Sequence, residues 1–196
     1  MSTIQLGSEV RVSDPCYTDD VWCKTQLKNV LPGEYNVEVE FSDQGDWGNR
    51  VSGLTVVHKD HINKMLQWDF IGTIGVDSGQ AGVFCETSYR NDDIVVKTPE
   101  SDFTLPYNDN AGDKWYENMC KLTLSEHSYG SYETGVVTST GFGDGSYPLE
   151  VSKDAYGKIV AVRIVYISNE EEDEGDVCGV CGEEIVYGET CDCIDE

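Results

Sequence analysis

The sequence predicts a mainly β fold, either an antiparallel sandwich or a barrel-like domain, with one or two short helices and a small zinc-ribbon-like module at the carboxyl end. Short segments of alternating apolar and polar residues are separated by turns rich in glycine and aspartate, which is typical of antiparallel strands. Only one segment has a clear helical period. Four of the eight cysteines lie within residues 178–196, and their spacing is that of metal ligands.

The clearest strand is segment 35–41, YNVEVEF. Tyr35, Val37, Val39 and Phe41 fall on one face and polar residues on the other, so the pattern predicts a half-buried strand. A glycine-rich turn follows, and segment 51–58 is predicted as the next strand.

Five later segments are predicted as strands. Segments 69–76 and 81–86 flank the turn 77–80 and indicate a hairpin or a tight corner. Segment 158–167 is apolar on both faces apart from Arg163, which predicts a central strand. We expect it to pair with segment 146–151, with segment 135–140 as a neighbour.

The helical period lies near the middle of the chain. Trp115, Met119 and Leu122 are spaced i, i+4 and i+7, which predicts a helix over about 113–122 with Asp113 as its N-cap. A weaker helix is expected over 59–67.

The charge is strongly negative, with a formal net charge of −24. Such a surface repels nucleic acid and anionic membranes and favours basic partners such as a basic host protein. A rigid acidic surface could also mimic DNA and inhibit a DNA-binding protein. Residues 167–196 hold twelve acidic residues and no Lys or Arg, so much of the charge lies in the tail, which argues against a rigid mimic.

No segment indicates export or membrane insertion. The first residues lack a basic region followed by an apolar stretch, and the longest apolar run, 159–167, is far too short to span a bilayer. We therefore expect a cytoplasmic protein whose cysteines are free, metal-bound or catalytic rather than paired in disulfides.

Three units are predicted along the chain: a β-rich domain over 1–167, an acidic linker over 168–177 and a cysteine module over 178–196. Cys178 and Cys181 form a CxxC pair with adjacent glycines, and Cys191 and Cys193 form a CxC pair. Four thiolates would hold a structural Zn²⁺ with no open position for water. Free cysteines or a labile redox pair are the alternative.

Four loops of the β-rich domain, 13–17, 44–50, 75–82 and 139–148, each carry an aspartate among turn-forming residues. Loops on a rigid β scaffold commonly carry binding groups, although aspartate and glycine are also ordinary turn residues. The candidate ligand-binding residues are Asp14, Tyr17, Asp46, Trp47, Arg50, Asp77, Ser78, Gln80, Asp144 and Tyr147.

Taken together, several of these motifs resemble those of a known protein family. SDPCY (13–17), GVDSGQAGVF (75–84) and STGFGDGSYPLEV (139–151) resemble a β-rich family of unknown function found in phages and Gram-positive bacteria. The resemblance covers roughly residues 8–167 and implies a β-dominated domain. It brings no catalytic residues to this chain.

The sequence therefore favours a non-enzymatic binding protein whose loops hold a small ligand or a protein partner. The resemblance suggests a phage accessory protein that sequesters a host factor or a nucleotide signal. The main alternative is a metal-dependent phosphoester hydrolase in which Asp14, Asp46, Asp77 and Asp144 converge. No catalytic residue is identified, and the oligomeric state is not indicated.

Overall fold

Strands dominate the part of the chain that the computed structural model describes, which comprises residues 2–18, 23–106, 109–168, 176–177 and 184–185. One α-helix, α1, spans Asp113–Thr123. In chain order the strands are β1 (Ser2–Leu6), β2 (Glu9–Ser13), β3 (Thr25–Lys28), β4 (Gly33–Asp43), β5 (Asn49–His58), β6 (Asp69–Val76), β7 (Gln80–Cys85), β8 (Tyr129–Tyr132), β9 (Gly135–Ser139), β10 (Gly145–Lys153), β11 (Ile159–Val165), β12 (Asp176–Val177) and β13 (Glu184–Ile185).

Two antiparallel sheets form the body. A six-stranded sheet has the order β1-β4-β5-β11-β10-β6, and a five-stranded sheet has the order β3-β2-β7-β9-β8. The prediction of a mainly β, sandwich-type fold is confirmed. β12 and β13 form a separate antiparallel pair.

The main core lies between the two sheets. Tyr35, Leu54 and Ile164 of the six-stranded sheet and Val10 and Val83 of the five-stranded sheet are fully buried and belong to one apolar cluster. Removal of this apolar surface from water is the dominant force that holds the sheets together.

A second, smaller core covers the other face of the five-stranded sheet. Trp115, Met119 and Leu122 of α1 pack with Phe84 and Tyr132. The Trp115 Nε1–H donates to the Tyr132 hydroxyl over 3.2 Å, so the buried indole keeps a polar partner. The domain thus has three layers: six-stranded sheet, five-stranded sheet and helix.

The strand predictions near the carboxyl end of the domain are confirmed in part. β11 is central in its sheet, between β5 and β10, and it pairs with β10 as expected. Segment 135–140 was wrongly placed, because β9 belongs to the five-stranded sheet and pairs with β7 and β8. The turn 77–80 is a corner between the sheets, since β6 and β7 belong to different sheets.

The second predicted helix, over 59–67, is wrong. The segment contains a short 3₁₀ turn at Lys59–His61, and residues 62–67 form no α-helix. Ile62 is 42% exposed and Met65 is 95% exposed, so this segment has no continuous buried face. A helix this short is not stable without such a face.

The N-terminus of α1 is capped by a residue from a distant loop, not by Asp113. The Asp92 carboxylate accepts hydrogen bonds from the backbone N–H groups of Gly112 and Trp115, both at 2.8 Å. The N-cap position itself is Gly112, which has a φ of 86° and no side chain to accept a hydrogen bond. Asp113 is the first helical residue, and its carboxylate pairs with Arg90.

We expect Asp92→Ala to lower the free energy of unfolding by about 1–2 kcal/mol, because it removes the acceptor of two helix N-terminal N–H groups. Urea denaturation followed by circular dichroism measures the change. Asp93→Ala is the matched control, since its exposed side chain has no such role and should leave stability almost unchanged. Equal stability of the two variants would contradict the assignment of Asp92 as the cap.

Candidate functional site

The four loops singled out from the sequence meet at one end of the sandwich, here called the loop end. Loop 13–17 is joined to the corner 77–80 through the Asp14 side chain. The corner is joined to loop 139–148 by a hydrogen bond from the Thr140 N–H to the Gly79 carbonyl, at 3.0 Å. That loop reaches the start of β5 through the Gly141 N–H, which donates to the Val51 carbonyl over 3.1 Å.

Asp14 anchors this arrangement from the interior. Its side chain is completely buried, and Oδ2 accepts from the backbone N–H groups of Asp77 and Ser78 at 2.9 and 2.7 Å. Oδ1 accepts from the Cys16 N–H at 2.8 Å and from the Ser78 hydroxyl at 2.7 Å. Four hydrogen bonds satisfy the carboxylate, so Asp14 acts as a structural link between two loops.

Residues near α1 also contact the backbone of loop 13–17. The Tyr89 hydroxyl lies 2.8 Å from the Tyr17 carbonyl oxygen, and Arg90 donates to the Pro15 carbonyl over 3.2 Å. Burial, followed by the nearby Asp14 carboxylate, raises the pKa of the Cys16 thiol well above its ordinary value. The thiol therefore stays protonated at neutral pH, which is unsuitable for a nucleophile.

A recess opens at the loop end, between loops 44–50 and 139–148. It has a volume of about 360 Å³ and is called the loop recess below. Its described lining includes Trp47, Arg50 and Phe142, together with the hydroxyl-bearing Ser139 and Thr140. Trp47 is 68% exposed and Phe142 is 57% exposed, and their rings meet edge to face with centroids 6.3 Å apart.

The charge of the loop recess is unusual for this protein. The described residues that line it include Arg50 but no Asp or Glu, although the chain holds 37 acidic residues. Arg50 Nε donates to the Trp47 carbonyl over 2.9 Å, and its guanidinium lies 5.9 Å from the Phe142 ring centroid. Within the described residues Arg50 has no carboxylate partner. The other three arginines each have one: Arg11 with Glu86, Arg90 with Asp113 and Arg163 with Glu150.

The shape of the recess depends on glycine and on a buried tyrosine. Gly143 has a φ of 105°, a conformation that residues with a side chain rarely adopt. The hydroxyls of Thr140 and Tyr147 both donate to the Gly143 carbonyl over 2.7 Å. Tyr147 is buried, so it supports the loop from below and does not line the recess.

The sequence-selected residues therefore divide into three groups. Trp47 and Arg50 line the recess. Asp46, Asp77 and Asp144 are exposed at the loop end. The remaining candidates support the loops: Asp14, Tyr17, Gln80 and Tyr147 are buried, and Ser78 is half-buried. Gln80 is buried and its Oε1 accepts from the Thr123 hydroxyl over 2.8 Å, so it links the corner to α1.

One important lining residue was missed. Phe142 was not among the sequence candidates, although it lies in the motif GFGDG between two glycines. A large apolar side chain at the tip of a glycine-rich turn cannot be buried by its own loop. That context is the signal that could have identified it.

The aspartates do not form a metal centre in the part of the chain that the structure describes. Within these residues no group of three or more His, Cys, Asp or Glu side chains is arranged to hold a metal ion. The carboxylate of Asp14, which the hydrolase alternative requires, is occupied by backbone and hydroxyl donors.

Comparison with known proteins adds a family but no activity. A family model described as a protein of unknown function, DUF4241, matches residues 7–164. The chain belongs to the DUF4241 family. No curated protein and no solved structure matches it significantly. The DUF4241 region includes all four loops and α1, so the loop recess lies within the family domain, and residues 178–196 lie outside it.

The predicted zinc ligands Cys178, Cys181, Cys191 and Cys193 lie outside the described residues. The pairing of β12 with β13 joins Asp176 to Ile185 and Val177 to Glu184, on either side of the sequence that holds Cys178 and Cys181. Cys16, Cys23, Cys85 and Cys120 are free thiols. No helix among the described residues is long and apolar enough to cross a membrane.

We expect Asp14→Asn to lower the free energy of unfolding by about 2–4 kcal/mol, because the amide keeps only one acceptor oxygen and leaves buried donors unsatisfied. Chemical denaturation monitored by fluorescence measures the loss. Asp46→Asn is the control, since Asp46 is exposed and should change stability by less than about 0.5 kcal/mol. An Asp14→Asn protein as stable as the control would show that the carboxylate is not the link described here.

Proposed function

We propose that this DUF4241 protein is a non-enzymatic binding protein whose loop recess holds a small anionic ligand with a planar ring. A nucleotide is the closest chemical match. The observation that carries the proposal is Arg50, which lines a recess whose described residues include no Asp or Glu. Its guanidinium bonds only the Trp47 and Gly141 carbonyls and has no carboxylate partner among the described residues.

The electrostatic argument follows from the rest of the molecule. A net charge of −24 repels anions from most of the surface. An anion binds more readily where a cation lines the site and carboxylates do not, and the described lining of the loop recess has this composition. Arginine also presents several donors that suit phosphate oxygens.

The aromatic residues supply the second part of the recognition. Trp47 and Phe142 expose large ring surfaces at the mouth of the recess. A base that stacks on such a ring gains about 1–3 kcal/mol. The volume of about 360 Å³ lies within the range of small-ligand sites, which begins at roughly 300 Å³.

The polar groups of the recess favour binding over turnover. Ser139 and Thr140 line it, but the described lining offers them no His, Asp, Glu or Lys as a general base. The Thr140 hydroxyl is already engaged with the Gly143 carbonyl. Its role is therefore to shape the loop.

The test is isothermal titration calorimetry with nucleoside mono-, di- and triphosphates, cyclic mononucleotides and cyclic dinucleotides. We expect at least one to bind, and we expect Arg50→Gln to weaken it at least tenfold, because the change removes the one cationic group among the described lining residues. The same nucleoside without phosphate should bind more weakly. Lys97→Gln is the charge-matched control, since Lys97 is exposed and lies outside the recess.

Two results would reject this function. The first is the absence of heat for every nucleotide at millimolar concentration. The second is binding that Arg50→Gln and Lys97→Gln weaken equally, since the anion would then respond only to overall charge.

For the tail we propose that Cys178, Cys181, Cys191 and Cys193 hold one structural Zn²⁺. Support comes from the donor set, because four thiolates match a closed tetrahedral zinc site. We expect about one equivalent of zinc by elemental analysis, and we expect Cys178→Ser with Cys181→Ser to remove it. Cys85→Ser is the control. Less than half an equivalent in freshly purified wild-type protein would favour the free or redox-active alternative.

A further inference from the structure

The outer face of the six-stranded sheet presents a groove that the loop recess does not explain. The inner face of this sheet packs on the other sheet, and no second layer of strands or helices covers the outer face among the described residues. Two adjoining recesses of about 260 and 570 Å³ lie on the outer face, and both are lined by Glu40 and Arg163. Together they are called the outer-face groove.

Strand register explains how the groove forms. Glu38, Thr55, Arg163, Glu150 and Phe70 are successive cross-strand partners on β4, β5, β11, β10 and β6, so they form one row across the sheet. The next row contains Glu40 opposite Gly53. Because Gly53 has no side chain, the groove is deeper at this position. A Cβ added there would lie 3.4 Å from Glu40 Oε2 and would partly fill this space.

Apolar side chains line one side of the groove, and some of them are exposed to solvent. Phe70 is 63% exposed at the edge of the sheet. Trp68 stacks over the Arg163 guanidinium, with 4.4 Å between Cζ and the ring centroid, and Leu66 extends this surface. A solvated sheet face is normally polar, so the exposed Phe70 in one recess and the partly covered Trp68 and Leu66 in the adjoining one indicate a contact surface.

The charge of the groove selects the kind of partner. Arg163 donates to Glu150 Oε2 from Nε at 2.6 Å and approaches it from Nη2 at 2.5 Å, so this pair neutralises itself. Glu38 and Glu40 have no ion pair within the described residues. The groove therefore keeps unbalanced negative charge next to apolar surface.

We propose that the outer-face groove docks a basic segment of a partner protein, in which Lys or Arg side chains alternate with apolar residues. The cationic heads meet Glu38 and Glu40, and the apolar side chains cover Phe70 and Trp68. Lys and Arg stems also pack well on aromatic surface while their heads stay near carboxylates. The overall negative charge of the chain accelerates the approach of such a segment.

The test uses three fluorescent twelve-residue peptides with alternating residues: lysine with leucine, lysine with serine, and glutamate with leucine. Fluorescence anisotropy at 150 mM salt should rank lysine–leucine above lysine–serine, with no binding of glutamate–leucine. We expect Glu40→Gln and Phe70→Ala each to weaken the lysine–leucine peptide at least fivefold. The controls are Glu126→Gln and Leu124→Ala, which change an exposed acid and an exposed leucine outside the groove and should stay within twofold of wild type.

Carbodiimide labelling of carboxylates then locates the contact. Bound lysine–leucine peptide should protect Glu38 and Glu40 and leave Glu126 labelled. Equal binding by all variants, or protection spread over the whole acidic surface, would overturn the proposal. So would a dimer seen by analytical ultracentrifugation that Phe70→Ala abolishes, because the face would then belong to a second copy of the chain.

Discussion

The architecture of the loop end depends on one buried carboxylate. Asp14 directly follows β2 of the five-stranded sheet. Its carboxylate accepts hydrogen bonds from the backbone of Asp77 and Ser78, at the corner where the chain passes from one sheet to the other. The corner in turn holds loop 139–148 through Gly79 and Thr140. A charged acceptor with four short hydrogen bonds fixes these loops relative to each other, and a defined recess requires that rigidity.

The distribution of charge separates two surfaces on the same scaffold. The described lining of the loop recess has a cation and no acid. In the outer-face groove two acids have no ion pair among the described residues, and Arg163 is paired with Glu150. These opposite environments lie on different parts of the domain, because one is built from loops and the other from outward-facing strand residues. The two proposed sites are therefore lined by different residues of one acidic chain.

Local sequence patterns predicted individual strands and the helix well, but they predicted which strands pair with each other less well. The alternation of 35–41 and the spacing of Trp115, Met119 and Leu122 identified β4 and α1, since each pattern reflects the face that is buried locally. Phe41 was wrongly placed on the buried face, because the register shifts between Glu40 and Phe41 and leaves its side chain 44% exposed. Strands β1, β2 and β3 are only four or five residues long and gave no comparable signal. The sheet to which β9 belongs, and the cap that Asp92 provides, depend on contacts between segments far apart in sequence.

Local sequence patterns also could not tell which residues of the candidate site are exposed. Asp14, Asp46, Asp77 and Asp144 look alike in sequence, because each is an aspartate in a turn. Asp14 is fully buried and structural, whereas the other three are exposed. Burial at this corner follows from the crossing between sheets, which no local pattern encodes. Trp47 and Arg50 were selected as an aromatic residue and a positive charge near an aspartate loop, and both line the recess. The same criterion also selected Tyr17 and Tyr147, which are buried, because sequence proximity to a loop does not show which way a side chain faces.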